Sequence, residues 1–568
     1  MPVGFASHVP ACPVLTRLSL LLALLAVTPA AAQTRYVLHH ARIYTVDAAR
    51  PTAEAMAVDG ARITAVGTEA EVLAAYPDWP RVDAGAQTVV PGLIDAHAHL
   101  MGIGASLQRA DLVGTTSKAD VIARLRTYAA TLPPGAWLLG RGWDQNDWPV
   151  AEDGSRPFPT RQDLDAAFPD RPVWIRRIDG HAGWLNTLAL RAAGLDPALP
   201  APPDPEGGRI LRDGQGRPAG VLIDNAENLV ERALTRPTDA ELGATLERAL
   251  QETARFGLTG LHDAGVTEDT LRAYRRFIAE GRFPIRVYAM IGGPGPTLDG
   301  ICDHGPHRDP RLSVRSLKLY ADGALGSRGA SLLEDYSDDQ GNHGLLIVPP
   351  DQLRAVVTRA MGCGLQVNTH AIGDGANRAV LDAYEAAIAA TGGGQGRHRI
   401  EHAQVVAMED IPRFGALEVI ASVQPTHATS DMPWAEARVG SERIRGAYAW
   451  RRLLDGGARI ALGSDAPVES VNPLLGFYAA VTRQDAEGEP PGGWYPDQRL
   501  TREEALRGFT LDAAYAGFME REVGSLTVGK RADFVILSRD IMQVPVAEIL
   551  TTHVVATYLD GEAIYRSR

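Results

Sequence analysis

Cysteine is nearly absent: three of 568 residues, none in a CxxC pair. That scarcity excludes a disulfide framework and argues against thiolate metal ligands. After the first 32 residues no apolar run reaches the ~20 residues that span a bilayer. No glycine-rich phosphate loop opens a helix after a first strand, so an open dinucleotide-binding sheet, the alternative architecture, lacks its signature. Positive charge is the minority sign, 56 Lys and Arg against 69 Asp and Glu, for a formal net charge of −13, which argues against nucleic acid as a main partner. What is present is a globular composition, 45% hydrophobic and 22% charged, with 58 Gly and 38 Pro scattered and not gathered in tracts. Such a chain is neither disordered, collagen-like nor coiled coil. Its length suits two to four domains, or one barrel with insertions.

Residues 1–32 carry one charged residue, Arg17, then an apolar run over 18–27 and the small-residue exit Ala30-Ala31-Ala32. This pattern predicts a secretory signal removed before Gln33, the run being too short for a membrane anchor. Export to the periplasm or the medium follows, with no membrane attachment after cleavage. Cys12 leaves with the leader. Cys302 and Cys363 leave room for one bridge, but Cys363 sits in an apolar helix-like stretch where a free core thiol is the ordinary expectation.

Short apolar runs alternate with helix-period segments along the middle of the chain. Eight candidate strands fall at 93–97, 259–262, 285–291, 315–320, 365–370, 399–402, 418–424 and 459–465. Between them stand patterns such as Ala376, Ala379, Val380, Ala383 and Ala387 at helical spacing. The alternation predicts an α/β fold, a (β/α)8 TIM-like barrel whose chemistry sits where strands end and βα loops begin. A large insertion after the first strand, 133–250 within a barrel of 92–520, is rich in Trp, Pro and Gly and is expected to form a lid or subdomain over that face. Both ends, 33–91 and 521–568, are β-rich, with turn signals at Asp59-Gly60 and Asp560-Gly561. They are expected to build one small β-sandwich together.

The sharpest motif is PGLIDAHAHL, residues 91–100. Residues two apart on a strand point the same way, so His97 and His99 converge, as two ligands of a Zn²⁺-like cation would. A lone HxH is weak evidence, since alternate histidines also occur as packing residues. Three further candidates end other strands: His370 in GLQVNTHAIGDG, His402 in RIEHAQ and Asp465 in IALGSDAP. A buried unpaired cluster of this kind would be costly to desolvate, so the group reads as a metal site at one barrel mouth.

This set, with LKLYADGALGSRGA at 317–330, THAIGDGAN at 369–377, and RGWDQNDWP and DGHAGWLNTLAL in the insertion, resembles the amidohydrolase superfamily of metal-dependent hydrolases. More narrowly it resembles the amidohydrolase 3 branch related to N-substituted formamide deformylases. The resemblance covers nearly all of the chain after the leader and implies hydrolysis of a carbon–nitrogen bond other than a peptide bond. It further implies that Lys318, ending the fourth strand, is carboxylated and bridges two cations, with His97, His99 and Asp465 on one and His370 and His402 on the other. With Lys318 unmodified, an ordinary ion-paired lysine, one ion is the count. The donors suit Zn²⁺ best, with Mn²⁺, Fe²⁺ and Co²⁺ also compatible.

A bound dication brings the pKa of its water toward ~7, and Asp465 is the expected proton shuttle to the departing nitrogen. Weaker candidates for substrate contact are His181, Trp184, His262 and Arg328, the last for an anionic group or an ion pair with Asp322. The expected substrate is a small N-substituted or N-acyl amide. Hydrolytic deamination or cyclic-amide opening is the alternative on the same scaffold, and a metal-dependent ligand-binding protein the alternative of another class. Homo-oligomerisation is left open.

Overall fold

The computed structural model describes residues 35–151 and 155–567; the expected leader and Cys12 lie outside the described residues. At its centre eight strands, Leu93–Ala98, Leu258–Val266, Arg286–Gly292, Leu312–Tyr320, Gln366–Ala371, Arg399–His402, Ile420–Val423 and Ile460–Leu462, lie side by side in chain order, each parallel to the next. Every residue of the first, fifth and sixth strands is buried, as parallel strands covered on both faces require. The seam between the last strand and the first is closed past the ladder. Asp465 N–H donates to the His97 carbonyl at 2.7 Å and His99 N–H to that of Ala466 at 2.8 Å. Gly463 permits this approach, because a Cβ there would stand 2.6 Å from His97 N.

Helices cover the barrel. Asp239–Arg255 is started by a capping box between Thr238 and Glu241 and buries Leu246, Ala249 and Leu250 in the same core as Leu258 and Leu261. It begins inside the stretch expected to form the insertion and runs past its end, and it packs as a barrel helix. The inserted layer instead runs from Ala110–Asp111 to Pro218–Asp224, a six-stranded sheet in the order Gly208–Arg212, Pro218–Asp224, Ala182–Leu185, Val173–Arg177, Leu138–Trp143, Ala110–Asp111. Each face of that sheet has its own apolar cluster.

Both ends of the described chain form one β unit. Thr88–Pro91 pairs antiparallel with Phe534–Leu537, joining N- and C-terminal segments in a six-stranded sheet, and a four-stranded sheet packs on it through Leu38, Met56 and Ile63 against Val89, Phe534 and Ile536. The hairpin Val554–Leu559 to Glu562–Arg566 turns through Asp560 and Gly561, both at positive φ, as a two-residue turn demands.

Cys302 and Cys363 form a disulfide, with their Cα atoms 5.0 Å apart. A free core thiol was the sequence expectation at Cys363. It fails because Cys363 caps Pro350–Gly362 at a half-buried helix end, beside the helix Pro296–His304 that carries Cys302. Among the described residues no helix is long and apolar enough to cross a membrane.

One buried ion pair ties the barrel floor to the β unit. Arg286 Nε and Nη2 donate to Asp533 at 2.8 and 3.0 Å, and Nη2 also donates to Asp560 at 2.5 Å. Truncation to Ala leaves Asp533 charged and nearly unhydrated, so R286A is expected to lose about 3–5 kcal/mol of unfolding free energy in denaturant titration. A loss below about 1 kcal/mol would contradict this bridging role.

Candidate metal centre

Four imidazoles and one carboxylate meet at the barrel mouth, and the hydrogen bonds behind them set which ring nitrogen faces inward. His97 Nδ1 is bonded to Glu401, His99 Nδ1 to the Ala264 carbonyl at 2.9 Å, and His402 Nδ1 to Gln424 Oε1 at 2.8 Å. The Gln424 amide is oriented by its own donation to Ser422 O at 3.2 Å. A carbonyl or carboxylate can only accept, so these Nδ1 atoms carry the protons and each Nε2 offers a lone pair. His370 is turned the other way: its Nε2 lies 3.4 Å from Gly323 O and 3.5 Å from Asp322, and its Nδ1 has no hydrogen-bond partner among the described residues.

The lone pairs face one another. Asp465 Oδ1 stands 3.1 Å from His99 Nε2 and 3.5 Å from His97 Nε2. Ring centroids are 4.8 Å apart for His97 and His402 and 4.6 Å for His370 and His402. Ligand atoms of His97, His99 and Asp465 all lie within 4.8 Å of one another, as do those of His402, His427 and Asp465. Burial and the neighbouring Lys318 ammonium push His97 down to about 4 against the pull of Glu401, and burial holds His370 and His402 well below the usual imidazole range. Burial opposes ionisation of Asp465, and what holds its carboxyl well below the usual carboxylate range is positive charge at the His99, His97 and His402 side, the charge a bound cation supplies when those rings are neutral. Neutral imidazole beside ionised carboxylate is the protonation state of metal ligands.

Lys318 is buried with them, its Nζ 3.3 Å from His97 Nε2 and 4.7 Å from the Tyr320 ring centroid, and burial pushes it down to about 8. It is not paired with Asp322, whose carboxylate accepts from the backbone of Ser331, Ile372 and Gly373. The donor set fits a divalent cation, because acceptor faces acceptor and a cation is the partner they can share.

A model described as the amidohydrolase family matches residues 81–565. The chain belongs to the amidohydrolase family. A second, imidazolonepropionase-like composite domain matches residues 55–78 of the β unit. This amidohydrolase is 35% identical to Protein LONG AFTER FAR-RED 3 of Arabidopsis thaliana, over 92% of the chain and 90% of that protein. It is 30% identical to the N-substituted formamide deformylase of Arthrobacter pascens, over 93% and 97%. Among solved structures, an uncharacterised metal-dependent hydrolase from Pyrococcus horikoshii superposes with a TM-score of 0.72 at 28% identity, covering 90% of this chain and 99% of that one. The chain is a metal-dependent hydrolase of carbon–nitrogen bonds.

The weaker candidates separate in this amidohydrolase. His181 reaches the centre: its ring lies 5.2 Å from that of His370, and its Nδ1 is 2.6 Å from Asp224 Oδ1. Trp184 does not. It is wholly buried in the inserted layer against Trp143 and Trp148 and donates to Thr160 O, so it is a packing residue there. His262 is also fully buried, and its ring is engaged with Arg399. Its Nδ1 meets Arg399 Nη1 at 2.8 Å, and Arg399 in turn holds Glu401, Ser422 and the Ala96 carbonyl. His262 therefore steadies Arg399, which steadies the Glu401 that orients His97. Arg328 is paired with Asp338 at 3.0 Å, not with Asp322, and so has no free fork for an anion.

Sequence reasoning missed His427, Glu401 and Asp224. His427 lies in PTHATSD, in the first turn of the helix after the seventh strand, with Nε2 buried, unbonded and 3.7 Å from Asp465 Oδ2. Its signal was a histidine just beyond a strand end, while only strand-end residues were weighed.

Removing a ligand or its orienting partner is expected to act on metal content first. In H97A and H99A, elemental analysis should find metal and activity lost together. In E401Q, which weakens the hold on His97, metal affinity should fall about 10- to 100-fold. Full metal occupancy in H97A would contradict the assignment.

Proposed function

We propose that this chain is an exported amidohydrolase that cleaves the amide bond of a small N-substituted or N-acyl amide with Zn²⁺ as its resident ion. The observation that carries the reading is the convergence of His97, His99, His402 and Asp465, with Lys318 and His370 beside them. His97, His99 and Asp465 would hold one ion. His370 and His402 would hold a second if Lys318 is carboxylated, since the modification replaces a buried cation by an anionic oxygen donor. The low exposure of Lys318 supports it by disfavouring the ammonium form. The formamide deformylase similarity supports the amide class. The leader pattern and the Cys302–Cys363 bridge support export, because disulfides persist in oxidising compartments.

A bound dication supplies Lewis acidity toward water and a carbonyl oxygen. The residues supply the rest. Asp465, ionised and against both His97 and His99, accepts a proton at its carboxylate and returns it to the departing nitrogen, which must be protonated to leave. His181, steadied by Asp224, is placed to orient the amide. Its position on the inserted layer makes substrate binding depend on that layer.

The test is product analysis with metal-loaded protein on N-formyl and N-acyl amines. The expected outcome is one carboxylate and one amine per turnover, with D465N slower by about 10²–10⁴-fold. Ammonia release from ring amines in place of amide cleavage would move the reading to a deaminase, and saturable binding without product would end the enzymatic reading for this substrate class.

A further inference from the structure

The Asp465 carboxylate has two oxygens, and different imidazoles face each. Oδ1 stands 3.1 Å from His99 Nε2 and 3.5 Å from His97 Nε2, whereas Oδ2 stands 3.7 Å from His427 Nε2. Two ligands of one tetrahedral ion, each ~2.1 Å from it, lie ~3.4 Å apart, so all three separations fall within a few tenths of an ångström of co-ligand spacing. His402 completes the set on the Oδ2 side. Its ligand atom and those of His427 and Asp465 lie within 4.8 Å of one another, and the bond from its Nδ1 to Gln424 leaves Nε2 for the centre. The protein satisfies neither end of the Asp465–His427 pair: Asp465 Oδ1 and His427 Nε2 are both shut off from solvent without a hydrogen-bond partner.

The charge around His427 favours a cation. Asp431 ends the helix that carries His427 and accepts from Tyr448 Oη at 2.6 Å, and Glu469 accepts from Ser430 Oγ at 2.6 Å; neither makes an ion pair among the described residues. Burial raises both carboxyls, and the charge acting most strongly the other way on each is at His427. The opposing cation is Lys318, which stands by His97 with Nζ 3.3 Å from its Nε2, while Arg399 is engaged with Glu401. Two imidazoles and a carboxylate, with no fourth protein ligand among the described residues, match the three-ligand pattern of a catalytic site, which keeps an open position.

We propose that His402, His427 and Asp465 form a second metal site in their own right, so that the Asp465 carboxylate bridges two divalent cations without any modification of Lys318. A carboxylate oxygen has two lone pairs, so ligation at both oxygens leaves Asp465 able to accept a proton. The inference rests on the metal-centre reading and is independent of which carbon–nitrogen bond is cut. The arrangement it competes with is the carbamate bridge, in which His370 and not His427 joins His402.

Metal stoichiometry separates the two. Metal-depleted full chain is titrated with Zn²⁺ in buffer freed of bicarbonate, with calorimetry for affinity and elemental analysis after gel filtration for ions per chain. The wild type and K318Q are expected to take two ions. H427A is expected to keep the first and to bind the second at least about 10-fold more weakly, and H427Q, which keeps a side chain of similar size, should do the same with an unchanged melting temperature. A second ion bound with wild-type affinity in H427A and H427Q overturns the proposal. So does a wild type that takes one ion until bicarbonate is added while K318Q stays at one, which assigns the bridge to a carbamate and leaves the metal centre standing. Binding of no ion by the wild type overturns both this proposal and the metal-centre reading beneath it.

Discussion

The structure depends on an electrostatic conflict that the protein relieves only in part with its own atoms: Lys318 Nζ reaches His97 Nε2, while Asp465 Oδ1 is left without a hydrogen-bond partner. Imidazole lone pairs and a carboxylate oxygen are held within a few ångströms of one another in a buried rim, the His97, His99 and His402 rings fixed from behind by hydrogen bonds. Groups arranged in this way repel until a cation joins them. The barrel exists, in energetic terms, to hold that conflict in place. Its apolar strands supply the rigidity, and its closing seam runs through the backbone of His97, His99 and Asp465 themselves.

Behind the ligands lies a second layer of charge that is self-sufficient. Arg399 neutralises Glu401, Glu401 orients His97, and Arg399 is braced by His262, Ser422 and a strand carbonyl. The Arg399–Glu401 pair balances its own charge, so it can be buried without a ligand. The contrast separates scaffold from site: Arg286 and Arg399 are buried against carboxylates, whereas Asp465 Oδ1 and His427 Nε2 are buried with no hydrogen-bond partner. The inserted layer extends the same logic outward, bringing His181 and its Asp224 partner to the rim.

Much of this was legible in the sequence because barrel strands advertise themselves. Each is a short apolar run, and the polar residue ending it is conspicuous against its own strand, which is why His97, His99, His370, His402 and Asp465 could be singled out. The joined termini were legible from Asp-Gly turns in β-rich ends. What was illegible depended on which core an amphipathic surface chooses. The helix Asp239–Arg255 has an apolar stripe that would serve either the insertion or the barrel, and Trp184 is as suited to a lid's interior as to a substrate wall. Partner choice was equally hidden: Arg328 finds Asp338 because of the path of a loop, and the cysteines bond because two helix ends meet.

The most direct test of the central claim is an anomalous difference map from crystals of the purified protein, recorded at the absorption edge of the bound metal. The account predicts a peak at ~2.0–2.2 Å from His97 Nε2, His99 Nε2 and an Asp465 oxygen. A map with no peak at the barrel mouth, or with the metal bound elsewhere in a fully active protein, would contradict it.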